Sequence, residues 1–145
     1  WRRFQKQARM AKHEVKEEQK QTEGDPKLKA KRRAKQRELA ESRSIQGVED
    51  AIALVTNPTH IAVALRYDVA RGDAAPIVLA QGVDEVALRM RTRARELGLP
   101  IVENKPLARA LAATAQIGQP IPVELYEAAA RVIAHVLSIG RGGEA

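Results

Sequence analysis

The sequence predicts an α/β fold: a small four-stranded mixed sheet flanked by helices, preceded by a long N-terminal helical arm. Three observations lead there. Residues 1–47 carry 15 Lys and Arg against 7 Asp and Glu, whereas residues 48–145 carry 10 against 11, so the net charge of +7 belongs to a basic arm joined to a near-neutral domain. Within residues 48–145, apolar runs of strand length alternate with helical stripes, which implies right-handed crossovers and partly parallel pairing. At 145 residues with no cysteine, the chain has room for one modest core and has neither a disulfide framework nor a thiol site.

The arm is expected to follow a membrane region that lies upstream of this sequence. Trp1-Arg2-Arg3-Phe4 combines the aromatic and basic residues found just cytoplasmic of a membrane helix, and no run here is long and apolar enough to span a bilayer. Residues 5–23 are rich in Lys, Glu and Gln and helix-prone, with little to bury. Gly24 ends that segment, and Asp25-Pro26 opens a second helix as N-cap and first helical residue, running to about Ser44. Its start, Lys27 to Lys35, places positive charge around much of the helix. A solvated linker, an arm on anionic lipid and a nucleic-acid arm are the three readings. Each Lys or Arg near an anionic leaflet contributes about 1 kcal/mol. Nucleic acid is disfavoured, because no aromatic side chain among the central basic residues offers a base a stacking surface.

Ser42 to Asp50 reads as a junction, and the globular domain follows. Strands are expected at 51–56 and 60–66, a loop at 68–75, and a third strand at 76–81 with Pro76 in first position, where a missing donor is tolerated. Val83, Val86, Ala87, Met90, Ala94 and Leu97 form the stripe of an amphipathic helix that opens with Asp84 and Glu85 and stops at Gly98. Leu99 to Val102 is a short fourth strand. Asn104-Lys105 leads into a helix with Pro106 near its start, broken by Gly118, Pro120 and Pro122. A last helix runs from Val123 to about Ile139, with Leu125, Ala129, Val132, Ile133, Val136 and Leu137 inward and His135 packed on or near the same face.

Conventional chemistry is scarce in this chain. The three histidines are far apart in sequence, no metal-ligand cluster or phosphate-binding glycine loop is present, and no cofactor is expected. Ser42, Ser44 and Ser138 lie in helical or junction contexts rather than on a strand-to-helix elbow. One stretch has a distinctive reaction open to it: Thr56-Asn57-Pro58-Thr59-His60, a polar interruption between two apolar runs. Its bland reading is a turn, since Asn and Pro both supply turn chemistry. The sharper reading starts from Pro58, which has no N–H to attack the Asn57 side chain, so ordinary deamidation is closed. The route left is attack by the Asn57 amide nitrogen on its own main-chain carbonyl, which closes a succinimide and expels Pro58 as an amine. Proximity favours this step, but a weak nucleophile needs a base, a polarised carbonyl or strain. His60 is the candidate for that help.

Asn57-Pro58-Thr59-His60 between apolar strands, with Gly24-Asp25-Pro26 upstream and Pro106-Leu107-Ala108-Arg109-Ala110-Leu111 downstream, resembles the cytoplasmic domain of the FlhB/YscU family of type III secretion export-apparatus proteins. Gly82 to Arg89 and Ile117-Gly118-Gln119 look more like the flagellar branch than the injectisome branch. The resemblance implies an inner-membrane protein whose cytoplasmic domain cuts itself once, between Asn57 and Pro58, with Thr59 and His60 shaping the turn. It implies two pieces that stay associated, a change of export specificity, and partners among export-apparatus proteins and export substrates. Ala75 and Pro76 in the loop, with Ala130 and Ile133 on the last helix, are candidate docking residues, the other reading being that they are core or loop residues, and no small-molecule substrate is implied. The alternative is a non-cleaving basic adaptor that binds nucleic acid or anionic membrane through residues 1–47.

Overall fold

The computed structural model describes residues 25–58 and 60–141, and the expectations placed on Trp1 to Gly24 lie outside them. The chain divides between Leu39 and Ala40 into two units, upstream of the expected step at residues 47–48. Helix α1, Pro26–Glu49, crosses that division. Asp25 caps it, its Oδ1 accepting from Lys27 N–H at 3.1 Å, and the residues around Pro26–Leu39 are exposed on every side. The expected junction from Ser42 is instead helix. Ser44 and Val48 are buried there, so tertiary packing extends the helix where local sequence does not.

The second unit holds a four-stranded sheet of β1 (Ala53–Asn57), β2 (Ile61–Arg66), β3 (Ile77–Val83) and β4 (Ile101–Glu103), in the order β3-β2-β1-β4. β1 pairs antiparallel with β2 and parallel with β4, and β2 pairs antiparallel with β3, so the sheet is mixed as expected. Helices α2 (Asp84–Leu97), α3 (Lys105–Thr114) and α4 (Tyr126–Arg141) complete the unit. Val55, Val63, Leu65 and Val78 pack on one face against Leu107, Ala108 and Leu111 of α3 and Ala129 and Val132 of α4. Leu54, Ala62, Ala64 and Ala80 pack on the other against Val48 and against Ala87, Met90 and Ala94 of α2. With both faces covered, every residue of β1 is buried, which is why its first three residues, Ala53 to Val55, are apolar on both faces rather than alternating.

Local devices tune this frame. The β2–β3 register shifts between Ala64 and Leu65, which pair with Ala80 and Val78 and leave Leu79 as the extra residue. That bulge puts Val78 and Ala80 on opposite faces although they are two apart. At Gly47 a Cβ would lie 2.7 Å from the Ala80 Cβ and 3.1 Å from the Leu79 oxygen, so the last turn of α1 reaches β3 only through glycine. Glu41 and Arg89 form an ion pair, and Glu49 accepts from Arg93 at 3.0 Å, tying α1 to α2.

Three expectations are corrected. Val83 ends β3 rather than starting the helical stripe, and at 59 % exposure it is outside the core, as is Leu97 at the far end of α2. Residues 123–125 form a 3₁₀ turn ahead of α4. His135 is exposed: the buried stripe is Ala129, Val132, Ile133 and Val136, and a residue two places after Ile133 points to another side of the helix.

Candidate functional site

The Asn-Pro stretch folds as a hydrogen-bonded turn joining two core strands. β1 ends at Asn57, β2 starts at Ile61, and these two residues face each other in the ladder. The Asn57 carbonyl oxygen accepts the His60 backbone N–H at 3.0 Å, closing the turn over the Asn57–Pro58 bond. That carbonyl is the group a cyclising Asn57 side chain would attack, so the N–H polarises it where negative charge would develop. Asn57 is 6 % exposed, and its side-chain amide makes no hydrogen bond to another described residue. Thr56 is buried beside it, and its carbonyl accepts the Asn104 N–H at 2.9 Å. Asn104 in turn caps α3, its side chain accepting from Leu107 N–H at 3.1 Å, so the strand leading into the turn is braced by the head of a helix.

His60 is exposed, with its side chain 68 % accessible, and its Nδ1 lies 3.9 Å from the Asp84 Oδ1. The His60 carbonyl accepts the Asp84 N–H at 3.0 Å. Pro58 is half-buried; Thr59 lies outside the described residues. Among the described residues no group of His, Asp and Glu could hold a metal ion.

A second feature lies at another edge of the unit. Tyr67, Ala74, Ala75 and Pro76 form one wall, and Tyr126, Ala130, Ile133 and Leu137 of α4 line the other, of an apolar groove of about 330 Å³. The four residues singled out from sequence, Ala75, Pro76, Ala130 and Ile133, therefore meet in one place. The two tyrosines escaped sequence reasoning, because nothing local ties Tyr67 at the end of one strand to Tyr126 at the start of a distant helix. A clip stiffens the loop wall. Arg66 donates from both Nε and a terminal nitrogen to Asp73 at 2.9 Å, and Asp73 also accepts the Asp68 N–H at 2.8 Å. The guanidinium hydrogen bond, followed by that N–H, lowers the Asp73 pKa to about 2. Asp68 caps the turn Val69–Arg71, which closes at Gly72 with φ +93°.

Comparison with known proteins shows the family to which the chain belongs. Residues 1–136 match the FlhB HrpN YscU SpaS family. The flagellar biosynthetic protein FlhB of Bacillus subtilis is 44 % identical over 133 residues, 92 % of this chain and 37 % of that protein. The hypersensitivity response secretion protein HrcU of Ralstonia nicotianae is 46 % identical over 141 residues, 97 % of this chain and 39 % of that protein. The crystal structure of the cytoplasmic domain of FlhB from Shewanella putrefaciens superposes with a TM-score of 0.66 at 43 % identity, covering 72 % of this chain and 84 % of that one. The chain thus spans somewhat over a third of the length of the curated relatives named here. With a family match over nearly its whole length, and a fold shared with a solved cytoplasmic domain, the chain belongs to the FlhB HrpN YscU SpaS family.

Proposed function

We propose that this chain is the cytoplasmic part of a type III export apparatus, flagellar in its affinities, that cuts itself once between Asn57 and Pro58 and takes part in switching the export substrate. One observation carries the reading: an asparagine whose side-chain amide makes no hydrogen bond among the described residues precedes a proline, and a backbone N–H already holds its main-chain carbonyl. Attack by Asn57 Nδ2 forms a bond to the main-chain carbon. The C–N bond to Pro58 breaks, and the proton lost by Nδ2 ends on the proline nitrogen. No cofactor or co-reactant enters, and because nothing turns over the chain is not an enzyme in the usual sense.

The topology supports association after the cut. β1 lies between β2 and β4, so the piece ending at Asn57 stays hydrogen-bonded on both edges with its side chains buried on both faces. In the same reading the apolar groove at Ala75, Pro76, Ala130 and Ile133 docks export substrates, other export-apparatus proteins contact the surrounding surface, and the basic arm lies against the anionic inner membrane. Denaturing mass measurement of the purified chain after incubation at neutral pH tests the cleavage. Fragments ending at Asn57 and beginning at Pro58 are expected, with Asn57→Ala folded and uncut; a wild-type chain that stays intact refutes the proposal. Docking is tested by titrating an early-export peptide against Pro76→Asp, whose affinity is expected to fall. An unchanged affinity removes the groove from the account.

A further inference from the structure

The joint between β3 and α2 has no spacer, since the strand ends at Val83 and the helix starts at Asp84. Asp84 has φ +50°, the one positive φ outside glycine among the described residues. L-residues adopt that conformation at a cost, and Asp and Asn tolerate it best. Helix capping does not account for it, because Val83 stands at the N-cap and makes no side-chain cap hydrogen bond. What the conformation does achieve is a backbone hydrogen bond to the turn, with the exposed Asp84 carboxylate brought beside the exposed His60 ring. The Asp84 N–H reaches the His60 carbonyl at 3.0 Å, one step beyond the Ile61–Val83 pair, and the Asp84 carboxylate stands 3.9 Å from the His60 Nδ1. Strained residues of this kind gather where they orient a reacting group.

We infer that Asp84 is a positioning residue for cleavage, acting through His60; the inference rests on the self-cleavage reading above. By closing on Nδ1 the carboxylate keeps the proton there, which leaves Nε2 as the free base. Nε2 accepts the proton from Asn57 Nδ2 as the new N–C bond forms and delivers it to the Pro58 nitrogen as the C–N bond breaks. Between these transfers Asp84 stabilises the imidazolium. Other charged groups near the turn are Glu103 on β4 and Lys105 at the head of α3, both across β1, and among the described residues the carboxylate that stands beside the His60 ring is that of Asp84.

The test is the cleavage rate of the freshly refolded chain, read by denaturing mass measurement. Asp84→Gly removes the carboxylate while accepting positive φ, and Asp84→Asn keeps the shape while losing the charge. Each is expected to slow cutting by roughly tenfold or more, part of what general acid–base help supplies. In a His60→Ala background neither should slow it further. Equal slowing with and without His60 overturns the inference in favour of a structural role, and cutting at the wild-type rate overturns it outright. A second readout avoids cleavage altogether. In the uncut Asn57→Ala chain, imidazole nitrogen chemical shifts report the His60 tautomer, which should move from Nδ1–H toward Nε2–H on Asp84→Gly, and an unmoved tautomer overturns the contact. An intact wild-type chain would overturn the cleavage reading together with this inference, whereas normal cutting by Asp84→Gly overturns the inference alone.

Discussion

Truncating Leu54 to alanine links the stability of the uncut domain to the grip between the two pieces of the proposed cut. Leu54 is fully buried in β1, in one core cluster with Val48, Ala62, Ala64, Ala80, Ala87, Met90 and Ala94. Five members of that cluster are alanines whose methyl groups are fixed to strand or helix backbone and cannot follow into the space, so partial refilling falls to Met90 and to the partly buried Ile45, Leu79, Val86, Leu99 and Ile101 around it. A cost near the middle of the usual range for Leu to Ala, about 3 kcal/mol, is therefore expected. In the uncut Asn57→Ala background this lowers Tm by about 10–20 °C for a unit of this size. After cleavage Leu54 lies on the first piece and most of its neighbours lie on the second, so the same loss falls on their association. About 3 kcal/mol is then roughly a hundredfold rise in Kd. Calorimetry of the uncut pair and dissociation of the piece starting at Pro58 from an immobilised first piece read the two numbers. A lowered Tm with an unchanged Kd would refute the claim that the inserted strand holds the cut protein together.

Other perturbations probe separate parts of the chain. Pro58→Ala restores an N–H after Asn57, so the Asn57 site should gain deamidation, seen as a mass increase without a chain break, at the expense of cutting. Gly82→Ala would place a Cβ 2.7 Å from the Met90 Sδ and Val86 Cγ1 and 3.2 Å from the Ala87 nitrogen; a destabilisation of about 1–3 kcal/mol, measured by denaturant unfolding, is expected. The Asp73 carboxyl, lowered to about 2, contributes stability that is present above the ordinary carboxylate pKa and is lost as pH falls through about 2. Asp73→Asn should flatten this acid dependence and loosen the loop wall, so backbone amide exchange at Ala74 and Ala75 should rise while the β1–β2 amides keep their protection.

Much of this architecture is legible in local sequence, because local chemistry sets it. The Asp25-Pro26 start, the Asn104 cap, the Gly98 stop and the strand-length apolar runs each follow from groups within a few residues of one another. The cleavage proposed at Asn57 is local too, since its nucleophile, carbonyl and leaving nitrogen would belong to two adjacent residues. Ser42 to Glu49 was illegible, because nothing in that segment shows that Ser44 and Val48 will be buried. The phase change at Leu79 was hidden for a related reason, as a bulge is defined by the partner strand.

The sequence by itself determined that the chain has a basic arm and an α/β domain, and that Pro58, which has no N–H, closes the ordinary deamidation route to Asn57. Tertiary structure decided the rest: β1 runs between β2 and β4, the His60 N–H falls on the Asn57 carbonyl, Asp84 comes round to His60, and Ala75 and Pro76 meet Ala130 and Ile133 across one groove. The physical reason is range. Propensity, capping and a missing N–H act within a few residues, whereas strand order and the meeting of distant side chains are set by packing both faces of the sheet at once.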